Sequence, residues 1–323
     1  MLSSSQARRK ELFMSGGTIS SESVTADWQQ IPDPIAQGKT RNMSMSILSG
    51  LTAQSKFLWP NAAPIEFTFE LDDATANLHV PTGAASTSSN FQIENMYITA
   101  DVIEMDSALL NKYVEHLSEG KSLSWEIKTL NSVLHSVGNS LANFSCNQSR
   151  AYTKLDTIFV NYIRTELEGA GAATPYTSRK QVNWFQGLTD ATTTAIDDTN
   201  DKLEAYITIG SKRVPLFAET KLNQHYYRLL QATGKNASDV HSMSMPMIAY
   251  KHNQFCHGFD LEKLPPGTLA SFTGENTRSG DLLAFNAKNL FQASVTDKIE
   301  LVQVVCQFVE IIRLSASGVD LLD

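Results

Sequence analysis

The seven histidines are the side chains most suited to acid–base or metal chemistry in this sequence, and their spacing favours neither. No pair has the HExxH or HxH spacing of a metal site, and no GxSxG, GxxxxGKS or GxGxxG motif supplies a nucleophile or a phosphate-binding loop. We therefore expect no catalytic residue, no metal, no cofactor and no small-molecule substrate, and we predict that the protein is not an enzyme. The seven are His79, His116, His135, His225, His241, His252 and His257.

Acidic pairs and cysteines offer little more chemistry. Adjacent carboxylates occur at Asp72-Asp73 and Asp197-Asp198, but neighbouring side chains diverge on a strand. The second pair lies in a polar stretch that is interpreted as a solvated loop, with a weak calcium site as the alternative. Three scattered cysteines favour neither a disulfide framework nor a structural zinc site. They are Cys146, Cys256 and Cys306.

Charge limits the partners of the chain. The 323 residues carry a formal net charge of −8, which argues against nucleic-acid binding over the whole surface. One basic cluster, Arg8, Arg9 and Lys10, is interpreted as a solvated terminal stretch or as a short arm that touches a genome, an acidic membrane or a neighbouring subunit. Residues 1–60 hold six basic and four acidic side chains, a net +2, which is weak for an arm that condenses RNA.

Large aromatic side chains outside the predicted strands are candidates for subunit contacts. Trp28, Trp59 and Trp184 lie in predicted arm or linker regions beside Pro, Gln or Asn, where a bulky ring often anchors a segment at an interface. Arg278 lies in a polar turn, where it is either an ordinary surface arginine or a bridge to a carboxylate of another subunit. With the basic cluster, these residues are the predicted subunit-interface set.

The elements that must carry these residues are mostly strands. Residues 1–60 contain Gly and Pro breakers and predict an extended N-terminal arm. Alternation of apolar and polar side chains predicts strands, two amphipathic stripes predict helices that begin near Asp106 and Leu222, and Gly120 and Gly234 are expected helix ends. A linker without periodicity covers about 165–200. The strands are predicted over 65–71, 93–105, 123–130, 153–164, 203–209, 214–217, 243–250, 254–261, 269–272, 281–287 and 298–314.

The order of these elements repeats. Each half has strands, one short helix and then further strands, and the helical stripes begin at Leu109 and Leu222. We therefore predict a mainly β chain with two tandem antiparallel jelly-roll barrels, each with a short helix insertion. The predicted domains are the arm at 1–60, a first barrel at 61–185 and a second at 186–323. The apolar run near 301–314 is interrupted by polar residues and is too short to be a membrane span.

Four segments resemble the double jelly-roll major capsid proteins of icosahedral viruses: the two helices LLNKYVEHLSEGKSL and KLNQHYYRLLQATG, the strand and loop QFCHGFDLEK, and the turn and strand FTGENTRSGDLLAF. The resemblance covers roughly 60–323. It implies a virion protein, assembled inside the host cell, that forms pseudo-hexameric homotrimers and contacts neighbouring capsomers. It also implies minor capsid or penton proteins as partners, and an inner membrane or genome contact through the arm.

Two other functions fit the sequence. A single jelly-roll coat protein of a small RNA virus is the nearest alternative, although its arm is usually more basic than +2. A carbohydrate-binding or hydrolytic β-sandwich would need paired acids about 5–9 Å apart beside exposed aromatic rings. The sequence offers no such pair on one strand face.

Overall fold

The computed structural model describes the chain at 38–40, 42, 44, 47, 49–53, 56–71, 91–137, 143–164, 203–233, 250, 255–262, 274–278, 280–288 and 299–322. In this part of the chain, the helices are α1 (Gly50–Ala53), α2 (Ser107–Ser118) and α3 (Leu222–Ala232). The strands are β1 (Leu123–Ser136), β2 (Asn143–Gln148), β3 (Leu155–Arg164), β4 (Glu204–Ile209), β5 (Lys212–Val214), β6 (His257–Asp260), β7 (Leu283–Lys288), β8 (Ile299–Ser315) and β9 (Gly318–Leu322).

Strand β4 shows how the sequence sets the local structure. Its buried positions Ala205, Ile207 and Ile209 alternate with partly exposed neighbours, as a strand with one face in the core requires. Gly210 follows with a φ of 57°, which lets the chain turn back into β5. The predicted strand and turn are confirmed here, whereas the predicted short strand at 214–217 lies instead at 212–214.

The strands form two antiparallel sheets whose order identifies the fold. One sheet has the order β1-β8-β3-β6, with β9 paired to the end of β8, and the other has the order β2-β7-β4-β5. The first, eighth, third and sixth strands therefore share one sheet, and the second, seventh, fourth and fifth share the other. This is the strand order of one eight-stranded jelly roll, in which two Greek keys wind around a single core.

The core lies between the inner faces of the two sheets. Phe259 on β6 and Phe285 on β7 bring their ring centroids within 6.3 Å across it. Burial of these apolar faces is the main stabilising term of the barrel. Fully buried large side chains of the core include Tyr152, Leu155, Ile158, Tyr162, Ile207, Leu229, Tyr250, Phe255, Phe285 and Phe308.

The interleaved strand order of the described residues does not confirm the predicted tandem arrangement. Strand β8 from the second predicted domain lies between β1 and β3 from the first, and β7 from the second pairs with β2 from the first. Within the described residues, the boundary at 185/186 therefore separates no two barrels, because the strands on either side of it share both sheets. The predicted strands at 65–71 and 93–105 are also wrong, since the chain has no strand there.

Other predicted elements have mixed outcomes. Both helices are confirmed, and α2 ends at Ser118, two residues before Gly120, whose φ is 79°. Strands β2 and β9 were not predicted, and α1 lies inside the predicted arm. The linker at 165–200, the helix end at Gly234 and the strand at 269–272 lie outside the described residues. No described helix is long and apolar enough to cross a bilayer.

The chain divides into two compact units. The first is built on Leu130–Phe308 and contains the core of the barrel. The second is built on Ile47–Leu78, Thr87–Thr129 and Val309–Asp323 and includes α1, α2 and β9. In the second unit, Trp125 at the start of β1 donates a hydrogen bond from Nε1 to the Phe57 carbonyl at 3.0 Å, which ties the preceding segment to the strand.

Candidate functional site

Two histidines meet inside the first unit where α3 covers β6. The rings of His225 on α3 and His257 on β6 lie 4.8 Å apart in a T-shaped contact, and the residues are 5% and 2% exposed. His225 Nε2 bonds to the Leu203 carbonyl at 2.8 Å, so this nitrogen is the donor. His257 Nε2 has no hydrogen-bond partner, and aromatic rings surround its imidazole.

Burial determines the protonation of this histidine pair. Desolvation lowers the pKa of His257 well below its usual value, and the neighbouring His225 lowers it further. Desolvation also lowers the pKa of His225, although the Leu203 carbonyl and the Glu219 carboxylate oppose the shift. Both rings are therefore neutral near pH 7 and closed to solvent. This arrangement serves packing, and a substrate in solution cannot reach it.

The cysteines are closed off in the same way. Burial raises the pKa of Cys256 to about 12, and it raises the pKa of Cys146 and of Cys306 to about 11. A thiolate is the reactive form of cysteine, so these three are poor nucleophiles. Among the described residues, no group of three or more His, Cys, Asp or Glu side chains could hold a metal ion.

Apolar side chains reach solvent on one face of β1. Leu130 and Leu134 are 63% and 55% exposed and lie on the same face of the strand, four residues apart. Ser132 lies between them and accepts a hydrogen bond from Gln303 Nε2 on β8 at 2.9 Å. We call these three residues, Leu130, Ser132 and Leu134, the β1 patch.

A larger apolar surface lies in the second unit. Residues 64–71 and 91–105 have no strand partner in the described chain, and their apolar side chains are mostly exposed, up to 91% at Val102. Exposed apolar area of this kind marks contacts with other molecules in soluble proteins. Its large members are Ile65, Phe67, Phe69, Leu71, Phe91, Ile93, Met96, Tyr97, Ile98, Val102 and Ile103.

Two members of the predicted interface set lie in the described chain. Trp59 is half-buried in the second unit, where its ring centroid lies 6.2 Å from that of Tyr113 on α2. Its carbonyl accepts hydrogen bonds from the amides of Ala62 and Ala63. The ring therefore anchors the chain's own segment to α2. Its predicted role between subunits stays a prediction.

Arg278 is exposed in the first unit. Its backbone amide donates to Asn276 Oδ1 at 2.8 Å, so an Asx turn shapes the predicted polar loop. Arg278 and Trp59 belong to different units of the chain. The remaining members of the set lie outside the described residues, and so does the candidate calcium loop at 197–198. They are Arg8, Arg9, Lys10, Trp28 and Trp184.

The β1 patch was not predicted, although the sequence contains a signal for it. Leu130, Ser132 and Leu134 alternate along the strand and therefore share one of its faces. The other face carries Thr129, Asn131 and Val133. Both leucines of this stretch lie on the exposed face, whereas two of the three residues on the other face are polar, which reverses the usual alternation. The structure is needed to show which face of β1 points into the barrel and which points to solvent.

Comparison with known proteins returns structures of virus capsids. No family model and no curated protein matches the sequence. A chain of PBCV-1 VP54, fitted into a reconstruction of the virophage Sputnik, is 9% identical with a TM-score of 0.40, over 67% of this chain and 54% of that one. The Faustovirus major capsid protein is 11% identical with a TM-score of 0.40, over 64% and 36%.

A chain from the cryo-EM structure of the Sputnik virophage is 8% identical with a TM-score of 0.37, over 62% of this chain and 38% of that one. The chain thus spans about half, or less, of the length of these proteins. They are double jelly-roll major capsid proteins, the family that the sequence resembles.

Proposed function

We propose that this chain is a capsid protein whose copies assemble into an icosahedral virus shell, with one jelly roll contributed by each copy. The observation that supports this most strongly is the strand order, β1-β8-β3-β6 against β2-β7-β4-β5. Viral capsid domains and lectin domains are among the proteins built as jelly rolls. The protein would accordingly be a component of the virion, assembled inside the host cell.

The exposed apolar side chains favour the shell-building role over the lectin role. Tyr97, Val102 and Leu134 project into solvent from a single copy, and shell subunits cover such side chains with neighbouring copies. Stable obligate assemblies bury on the order of 2,000–5,000 Å² in each interface. A soluble lectin that works as a monomer has no need for this much exposed apolar surface.

The number of barrels in each copy decides the shape of the capsomer. A pseudo-hexameric trimer, as implied by the family resemblance, needs two barrels from each chain, and the described strands supply one. We therefore propose that each jelly roll occupies one position of the shell. Contacts of residues 1–60 with a genome or an inner membrane, and contacts with minor capsid or penton proteins, belong to the same proposal.

The test is the assembly state of the purified full chain. Size-exclusion chromatography with light scattering, followed by negative-stain electron microscopy, is expected to show closed particles or rings of subunits. A monomer that persists at every concentration and salt level would count against the proposal. Binding to a glycan array by such a monomer would favour the carbohydrate-binding alternative.

A further inference from the structure

The five-stranded sheet has β6 at one edge and β1 at the other, and the two edge strands differ in length and in their contacts. At the β6 edge, α3 packs so closely that a Cβ on Gly258 would lie 2.8 Å from the Ala232 Cβ and 3.0 Å from the Leu229 Cα. Strand β6 is also only four residues long. A strand this short offers little template for another strand.

The β1 edge is long, and only part of it is covered. Strand β1 has fourteen residues without proline, and β8 is the only described strand that pairs with it. The chain's own residues contact its first part. Lys56 Nζ donates to the Ser124 carbonyl at 2.8 Å, and Gly50 passes so close to the Lys128 backbone that no side chain would fit. For the stretch from Leu130 to Ser136, the sheet order gives no described strand on the side away from β8.

We propose that two copies of the chain pair antiparallel along this part of β1, with Ser132 facing Ser132 of the second copy on a twofold axis. The pairing would join two sheets into one continuous sheet across the axis. It rests on the proposed function, because it would be one of the contacts between subunits of the shell. The partner is a second copy because the β1 patch is complementary to itself.

The register follows from the positions of the two exposed leucines. In an antiparallel pair centred on Ser132, Leu130 faces Leu134 of the other copy, and Leu134 faces Leu130. This register therefore places both leucines of each copy against leucines. If the twofold axis passed through Asn131 or Val133 instead, each leucine would face a serine or a lysine of the other copy. Facing serine hydroxyls at the axis can form a hydrogen bond, and no like charges meet within the patch.

A disulfide across the axis tests this register directly. Residues directly opposite in an antiparallel pair have Cα atoms about 4.5–5.5 Å apart, within the range that a disulfide spans. Under mild oxidation, Ser132→Cys is expected to give covalent dimers on a non-reducing gel. The matched control is Leu130→Cys, which faces position 134 and therefore has no thiol opposite it. The native cysteines are buried and should contribute little.

A charge variant tests the same contact without cross-linking. The double change Leu130→Lys and Leu134→Lys places lysines opposite lysines and is expected to weaken dimer formation about tenfold or more in sedimentation experiments. The control is Leu216→Lys, another exposed leucine, which follows β5 in the second sheet. Equal weakening by the control would contradict the proposal.

The outcomes separate this inference from the proposed function. No dimer with Ser132→Cys, or equal cross-linking with Leu130→Cys, overturns the pairing, whether or not particles form. If electron microscopy shows particles but Ser132→Cys gives no cross-linked dimers, the results support the capsid proposal and contradict the β1 pairing. Cross-linked dimers that never grow into particles would keep the pairing and discard the shell.

Discussion

Helices α2 and α3 look alike in the sequence and differ in the structure. Each has an apolar stripe of similar spacing, and each follows strand-like segments in its half of the chain. In α3 the stripe is buried, with Leu222, His225 and Leu229 turned into the barrel. In α2 no residue is buried, and Val114 is half-exposed.

The difference shows that a helical stripe does not by itself imply a barrel beneath it. Helix α3 packs on β6 and contributes Leu222 and Leu229 to the core of the first unit. Helix α2 belongs to the second unit, whose apolar side chains largely face solvent. An exposed stripe of this kind gains most from burial against another copy.

The largest expected effect comes from truncating the buried stripe of α3. Leu229 is fully buried against β6, so Leu229→Ala should lower the free energy of unfolding by about 2–5 kcal/mol. The matched change on α2, Val114→Ala, should stay within about 0.5 kcal/mol, because that side chain is half-exposed. Urea denaturation of unassembled protein, followed by circular dichroism, measures both. Equal losses would mean that the two helices are equally packed.

Acid should destabilise the region where α3 packs on β6. The pKa values of His225 and His257 in the folded protein lie below 6.5. Well above pH 6.5 both side chains are therefore neutral in the folded and in the unfolded chain, and they do not make stability depend on pH. Below pH 6.5 these two histidines are protonated in the unfolded chain while they stay neutral in the folded chain. Stability should therefore fall with falling pH, by up to about 1.4 kcal/mol per pH unit for each histidine.

Two variants check the source of this acid sensitivity. His257→Phe should reduce the pH dependence, because the imidazole already packs among the rings of Phe255, Phe259 and Tyr162. The change Val114→Ala on α2 removes no titratable group, so its slope of stability against pH serves as the reference. Cys256 and Tyr250 also lie near the pair, but burial raises their pKa values, so they stay neutral in acid. A slope that His257→Phe does not alter would show that other groups cause it.

The smallest expected difference concerns the ion pairs of the two helices. Arg228 on α3 donates from Nε and a terminal nitrogen to Glu219 at 2.8–3.2 Å, and Glu219 is mostly buried. Arg228→Ala should cost about 0.5–1 kcal/mol, since the arginine itself remains partly exposed. The pair of Lys112 and Glu115 on α2 is exposed, so Lys112→Ala should cost close to nothing. Thermal unfolding in low and high salt would reveal both.

Local features of the fold could be predicted from the sequence. The alternation in β4, the apolar run of β8 and the stripe of α2 predict elements that the structure contains. Strand β2 was missed because Gln148 fills a buried position in its alternating pattern, so the apolar period is incomplete. The segment at 65–71 shows the opposite case, since a perfect alternation occurs there without a strand partner.

The arrangement of the strands could not be predicted in the same way. Strand β8 pairs with β3 in a register that places Val160 opposite Val304. These residues are far apart in the sequence, and no local pattern of side chains indicates that the two strands pair. Two similar halves therefore looked like two barrels. The β1 patch was missed for the same reason, because the inner and outer faces of a strand are defined only by its sheet.

The most direct test of the account is a cryo-EM reconstruction of assembled particles in which individual strands are resolved. The account predicts one jelly roll per copy in each shell position, with β8 between β1 and β3 of the same chain. Two complete barrels in one copy, with strands on either side of 185/186 in separate sheets, would contradict it.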